Sequence, residues 1–119
     1  MKNHWTTTGA IFGFLAVALG AFGAHQLKDI LTPEMMEIYR TGVLYHLLHA
    51  VMITAIGLYA IPKYFKSALF LSIGIILFSF SLYIYTLTGV KTIAMITPLG
   101  GVSFLAGWLL IIIYSIKKP

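Results

Sequence analysis

Charged residues along this 119-residue chain fall in five short clusters, and the four stretches between them contain none. The clusters are Lys2; Lys28 to Arg40; Lys63 and Lys66; Lys91; and Lys117 with Lys118. The uncharged stretches cover residues 3–27, 41–62, 67–90 and 92–116. As helices, each is long enough to cross a bilayer core of ~30 Å, which takes about 20 residues. A soluble helix needs a polar face, and none of these has one. A chain of this size cannot wrap four such helices in polar protein. The pattern therefore predicts an all-α, up-down-up-down bundle of four transmembrane helices in a single domain, 1–119. The spans fall at about residues 6–25, 41–61, 68–87 and 93–116.

Helix punctuation refines this picture. Thr32-Pro33-Glu34 reads as a helix start, with a threonine cap, proline in the first turn and an acid beside it. Nothing after Pro33 forbids helix until residue 61, a run of ~43 Å at 1.5 Å per residue. That exceeds the bilayer core, so the second helix is expected to project from the membrane or to bend near Gly42. Glu37 and Arg40 are placed to pair on its exposed first turns. Pro62 ends this helix, and Thr88-Gly89-Val90-Lys91 is a short third connection, as antiparallel neighbours require. Thr97-Pro98-Leu99-Gly100-Gly101 is a candidate interruption at the start of the fourth span.

Small residues recur at helical spacing. Gly9, Gly13, Ala16, Gly20 and Ala24 form a stripe on the first span. The third span carries two stripes, one of Ser67, Gly74, Ser81 and Thr88 and one of Ser72, Ser79 and Thr86. Thr97, Gly100, Ser103 and Gly107 share a face of the fourth. Helices in lipid associate through close packing, which small residues permit, so these faces are expected to be helix–helix interfaces. The functional alternative is a polar path through the bundle. Hydroxyls can bond their own helix backbone, which favours packing.

Composition narrows the class. The chain is 60% hydrophobic and 9% charged, against about 25% charged in a soluble domain. Without cysteine it has no disulfide, thiolate metal site, S-acylation site or cysteine nucleophile. Its net charge of +5 is scattered in ones and twos at span ends, a mark of orientation and of contact with membrane lipid rather than nucleic acid. With four spans, Lys2, Lys63, Lys66, Lys117 and Lys118 share one side, and Lys28, Arg40 and Lys91 the other. That excess places both termini in the cytoplasm of a multi-pass plasma-membrane protein. Trp5, Tyr59, Tyr64 and Tyr114 fit the inner boundary and Tyr39, Tyr45 and Tyr85 the outer one. Lys2, the apolar run after it and Ala21, Gly23 and Ala24 mimic a signal peptide. The packing stripe argues that the segment is retained as the first span.

Candidate chemistry is sparse. His25, His46 and His49 gather near the outer face, and with Thr88 and Thr97 they form a candidate polar cluster. His49 would lie ~12 Å inside a core starting at residue 41. A polar ring at that depth must face the bundle interior and find a partner. His-x-x-His spacing suits a metal, with His25 as a third ligand, yet no carboxylate lies within a span. Hydrogen-bonded structural histidines are therefore expected, with no metal or cofactor. The three acids share one loop, and no Gly-x-Ser-x-Gly, His-Glu-x-x-His or phosphate-binding loop is present. The chain reads as non-enzymatic, acting through helix packing with lipid, a membrane partner or itself as a homo-oligomer. The alternative is a transporter or channel component with a histidine-lined polar vestibule at the outer face.

Four segments resemble one known family. They are Gly20-Ala21-Phe22-Gly23-Ala24-His25; Tyr45-His46-Leu47-Leu48-His49-Ala50; Phe78-Ser79-Phe80-Ser81-Leu82-Tyr83 with Leu87-Thr88-Gly89; and Ile96-Thr97-Pro98-Leu99-Gly100-Gly101 with Gly107-Trp108. Taken in order across all four spans, they resemble the DUF423 (UPF0382) family of small bacterial membrane proteins. The resemblance implies a four-span plasma-membrane protein and supplies no activity. His25 and His49 fall where the family pattern has histidine. His46 stands where glutamine is usual and Phe80 where glycine is usual, so His-x-x-His looks like this chain's own variation.

Overall fold

The computed structural model describes residues 3–117, so Lys2 and Lys118 of the orientation count lie outside the described residues. The described chain is all-α. Four helices are long and apolar enough to cross a membrane: Trp5–Leu27, Pro33–Tyr59, Pro62–Thr88 and Lys91–Ile116. They run up-down-up-down in a body of 52 × 25 × 17 Å. The first span lies along the second, the second along the third and the third along the fourth. The apolar windows of spans two and three are 39% and 50% buried, against 17% and 22% for spans one and four. The bundle is thus a rhombus whose short diagonal is the second–third pair, with Ile53, Ala68, Leu71 and Ile75 fully buried at its centre.

Helix boundaries follow local chemistry. Thr32 Oγ1 accepts from the Met35 N–H at 3.1 Å and Pro33 occupies the first turn. The helix then runs unbroken to Tyr59. No break in the helix occurs at Gly42. Gly42 is a point of close approach instead of a hinge, since a Cβ there would stand 3.0 Å from the Tyr83 ring. The helix ends at Ala60, in the left-handed region with φ 56°, whose N–H donates to the Ile56 carbonyl at 3.0 Å. Gly89, φ 72°, closes the third span in the same manner. In the fourth span a turn at Lys91–Ala94 precedes the main helix, Thr97–Ile116. The break falls just before Pro98, which sits in the first turn where its missing N–H does no harm. Gly100 and Gly101 are therefore inside the helix.

Two of the small-residue faces are close helix–helix contacts. On the first span a Cβ at Gly9 would land on the Thr54 backbone, and one at Gly57 on the Thr6 backbone. Ala16 is buried, and Gly13 and Gly20 face Ala50 and Val43 with more room. Beyond Gly20 the contact passes to Gly23, under the Tyr39 ring, while Ala24 is exposed. Positions 9, 13, 16, 20, 23 and 27 alternate steps of four and three, the rhythm of helices packed with a slight supercoil, and a fourth step of four leaves that seam. Between spans three and four, Gly100 meets the Leu77–Phe78 backbone, Gly107 meets Leu71, and Gly74 lies under the Phe104 ring. Ser103 Oγ donates to the Phe70 carbonyl at 2.6 Å across the same seam.

Candidate functional site

The histidines of the second span are three residues apart, about 60° around the helix axis, and each meets a different neighbouring span. His46 turns towards spans one and three, where its Nδ1 lies 2.8 Å from the Tyr83 hydroxyl. The rings of Phe12 and Phe80 pack edge-on to it, with centroids at 6.0 and 5.4 Å. Its Nε2 is fully buried with no hydrogen-bond partner. Phe80 and His46 are thus neighbours.

His49 turns to the fourth span. Its Nδ1 is 2.6 Å from the Tyr45 carbonyl, which can only accept, so Nδ1 carries the proton. Its Nε2 accordingly accepts from Trp108 Nε1–H at 3.0 Å. Both ring nitrogens are committed in a neutral tautomer, and neither lone pair is left for a metal. The ring stacks on Phe104 with centroids 3.7 Å apart.

The remaining candidates lie elsewhere. Thr97 Oγ1 is 2.6 Å from Ser81 Oγ, which donates to the Phe78 carbonyl, so Thr97 is the donor that ties spans three and four. Thr88 donates to the Ile84 carbonyl at 2.7 Å on an exposed turn, and His25 is exposed in the π-helical turn Gly23–Leu27. The five residues expected as one cluster thus form separate contacts. Among the described residues no three of His, Asp and Glu gather as metal ligands would.

Tyr83 and Trp108, which complete the His46 and His49 contacts, were given no such role by the sequence reading. Tyr39, expected near the outer boundary, is buried against the first span, and its hydroxyl donates to the Leu19 carbonyl at 2.6 Å. The available signal was depth. Tyrosine and tryptophan favour the bilayer interfaces, yet Trp108 is twelfth of the 20 residues of Thr97–Ile116. A polar tip at that depth needs a partner inside the protein.

A lateral groove of about 600 Å³ lies between spans two and four, walled by Tyr45, His49, Met52, Phe104 and Trp108. That volume lies within the ~300–1,000 Å³ of ordinary ligand sites. It continues into a space of about 340 Å³ beside Ile56, Tyr59, Tyr64 and Ile111, with Met52 and Ala55 lining both.

Comparison with known proteins places this architecture. The family profile described as "Protein of unknown function (DUF423)" matches residues 19–101. The chain is 39% identical over 114 residues to the UPF0382 membrane protein YwdK of Bacillus subtilis, covering 92% of this chain and 93% of that one. It is 40% identical over 121 residues to a UPF0382 membrane protein of Haemophilus influenzae, covering 99% and 98%. It is also 40% identical over 112 residues to the UPF0382 inner membrane protein YgdD of Escherichia coli K12, covering 91% and 86%. No solved structure matches the chain.

Proposed function

The chain belongs to the DUF423 family of membrane proteins, and on that premise we propose that it is a non-enzymatic protein acting through lateral contacts within the bilayer. The contacting surface is the groove between spans two and four, and the contacts are with lipid, a second copy or another membrane protein. One observation carries the reading: an apolar groove opens sideways between two membrane-spanning helices, while packed side chains fill the bundle axis. A transporter or channel with a histidine-lined vestibule needs a hydrated path to the midplane. Ile53, Leu71 and Ile75, all fully buried, occupy that route. The commitment of both His49 nitrogens, and the confinement of Asp29, Glu34 and Glu37 to the first connection and the start of the second helix, support a non-enzymatic role.

The absence of cysteine makes the test clean. Single cysteines replace Leu105 in the groove and Ile53 on the axis in reconstituted protein. A lipid-soluble maleimide should label Leu105→Cys, and a charged, membrane-impermeant thiosulfonate should leave Ile53→Cys unmodified. Labelling of Ile53→Cys by the aqueous reagent would overturn the reading in favour of transport. Within the same proposal, both termini face the cytoplasm of a plasma-membrane protein, supported by the five-to-three excess of lysine and arginine. Reporter fusions at the C-terminus and in the first connection should report opposite sides. An external C-terminus sinks that orientation.

A further inference from the structure

We propose that the groove between spans two and four is a site for one anionic phospholipid, its acyl chain lying along the groove and its phosphodiester meeting Lys63 and Lys117. The inference rests on the lateral-contact reading above and names its partner.

Three observations converge on this occupant. The first is the shape of the groove, whose two parts join through Met52 and Ala55. It runs from Tyr45 to Tyr59 along the second span, 14 residues or ~21 Å at 1.5 Å per residue. That is a leaflet-length slot. Trp108 Nε1 and His49 Nε2, 3.0 Å apart, tie its two walls together. A slot pinned at that width does not open to seat a partner helix ~10 Å across. A flexible acyl chain needs no such opening.

The second is the lining. Apolar and aromatic side chains dominate the walls, and His49, their most polar ring, has both nitrogens committed. An apolar chain suits this surface, whereas a polar solute would find no free partner on His49.

The third is the charge at the open end. Lys63 Nζ stands 5.3 Å from the centroid of the Tyr64 ring, and Tyr64 lines the groove. Lys117 Nζ stands 5.6 Å from the Tyr114 ring, three residues beyond Ile111 of the lining. Every acid of the chain lies at the opposite end, Asp29 in the first connection and Glu34 and Glu37 in the first turns of the second helix. Among the described residues no acidic side chain accompanies the two lysines near this end of the groove, at the depth where Tyr59 and Tyr64 mark the headgroup layer. An apolar slot leading to paired cations is complementary to a lipid with a negative headgroup.

The experiment is native mass spectrometry of the full chain, released from nanodiscs holding equal phosphatidylglycerol and phosphatidylcholine with identical acyl chains. Wild type should retain one lipid with about a tenfold preference for phosphatidylglycerol, which two lysines near an anionic headgroup can supply. The double variant Lys63→Gln/Lys117→Gln, changed only at the surface, should lose the preference. Ala55→Trp fills the slot from a lipid-exposed position and should lower the adduct of both lipids at unchanged helicity by circular dichroism. Equal retention of both lipids by wild type overturns the proposal. So does a preference that survives the lysine changes, an adduct indifferent to Ala55→Trp, or a lipid-free dimer occupying the groove. If lipid selectivity fails while Leu105→Cys still reacts only with the lipid-soluble maleimide, this assignment falls and the lateral-contact reading stands. Aqueous labelling of Ile53→Cys removes both.

Discussion

Gly9 and Gly13 lie one turn apart on the same stripe, yet the same substitution should move stability in opposite directions. A Cβ at Gly9 would stand 2.8 Å from Thr54 Cα and closer still to the Thr54 amide nitrogen. These are backbone atoms of the second span, so no side-chain rotation relieves the clash. Restoring ordinary contact requires the two helices to separate by roughly 1 Å, and a gap of that size forfeits about a quarter to a half of each contact's dispersion energy. The reciprocal approach of Gly57 to the Thr6 backbone would open with it. Overpacking of this kind costs about 1–3 kcal/mol, against which alanine's better helix propensity returns about 1 kcal/mol. At Gly13 the nearest atom is the Ala50 Cβ at 3.9 Å, so alanine fits and keeps its propensity gain. Gly9→Ala should therefore be less stable than wild type and Gly13→Ala equal to it or more stable, a separation of about 2 kcal/mol. Reversible unfolding by SDS in mixed micelles, followed by far-UV circular dichroism, measures both. Equal stabilities, or a Gly13→Ala variant weaker than Gly9→Ala, would refute the close approach.

The third–fourth seam repeats the comparison on adjacent residues. A Cβ at Gly100 would stand 2.7 Å from Phe78 Cα, while one at Gly101 meets only the Phe78 ring at 3.9 Å. Gly100→Ala should destabilise by about 1–2 kcal/mol and Gly101→Ala should not, and matching unfolding curves would contradict this. Trp108→Phe deprives His49 Nε2 of its donor. A double-mutant cycle with His49→Phe should give a coupling of about 1 kcal/mol or more, and zero coupling would show that the bond contributes nothing. Ala60 holds a left-handed backbone, so Ala60→Gly should raise stability by about 1 kcal/mol, and a loss on the same titration would count against that helix end.

How far the sequence could be read depends on which element sets each feature. Lipid alone requires an uncharged stretch, so the four spans are legible one at a time, as is the Thr32-Pro33 helix start. The glycine stripes are legible in kind but not in degree. Gly9 and Gly13 look alike in the first span, and their difference comes from where the second span's backbone passes closest, a property of both helices together. Histidines gave the least. His46 and His49 look like one cluster along the sequence, but three residues of helix turn them into separate interfaces. What each then meets depends on which spans flank the second, and that follows from the rhombic arrangement of four helices, written in no single span. The consequence is chemical as well as geometric. His49 reaches the fourth span, where Trp108 satisfies it, and ties the walls of a groove open to lipid. His46 faces the filled side and keeps a nitrogen without a partner, among the rings of Phe12 and Phe80. The same residue type, one helical turn apart, thus fastens a surface in one case and stores an unsatisfied polar atom in the other.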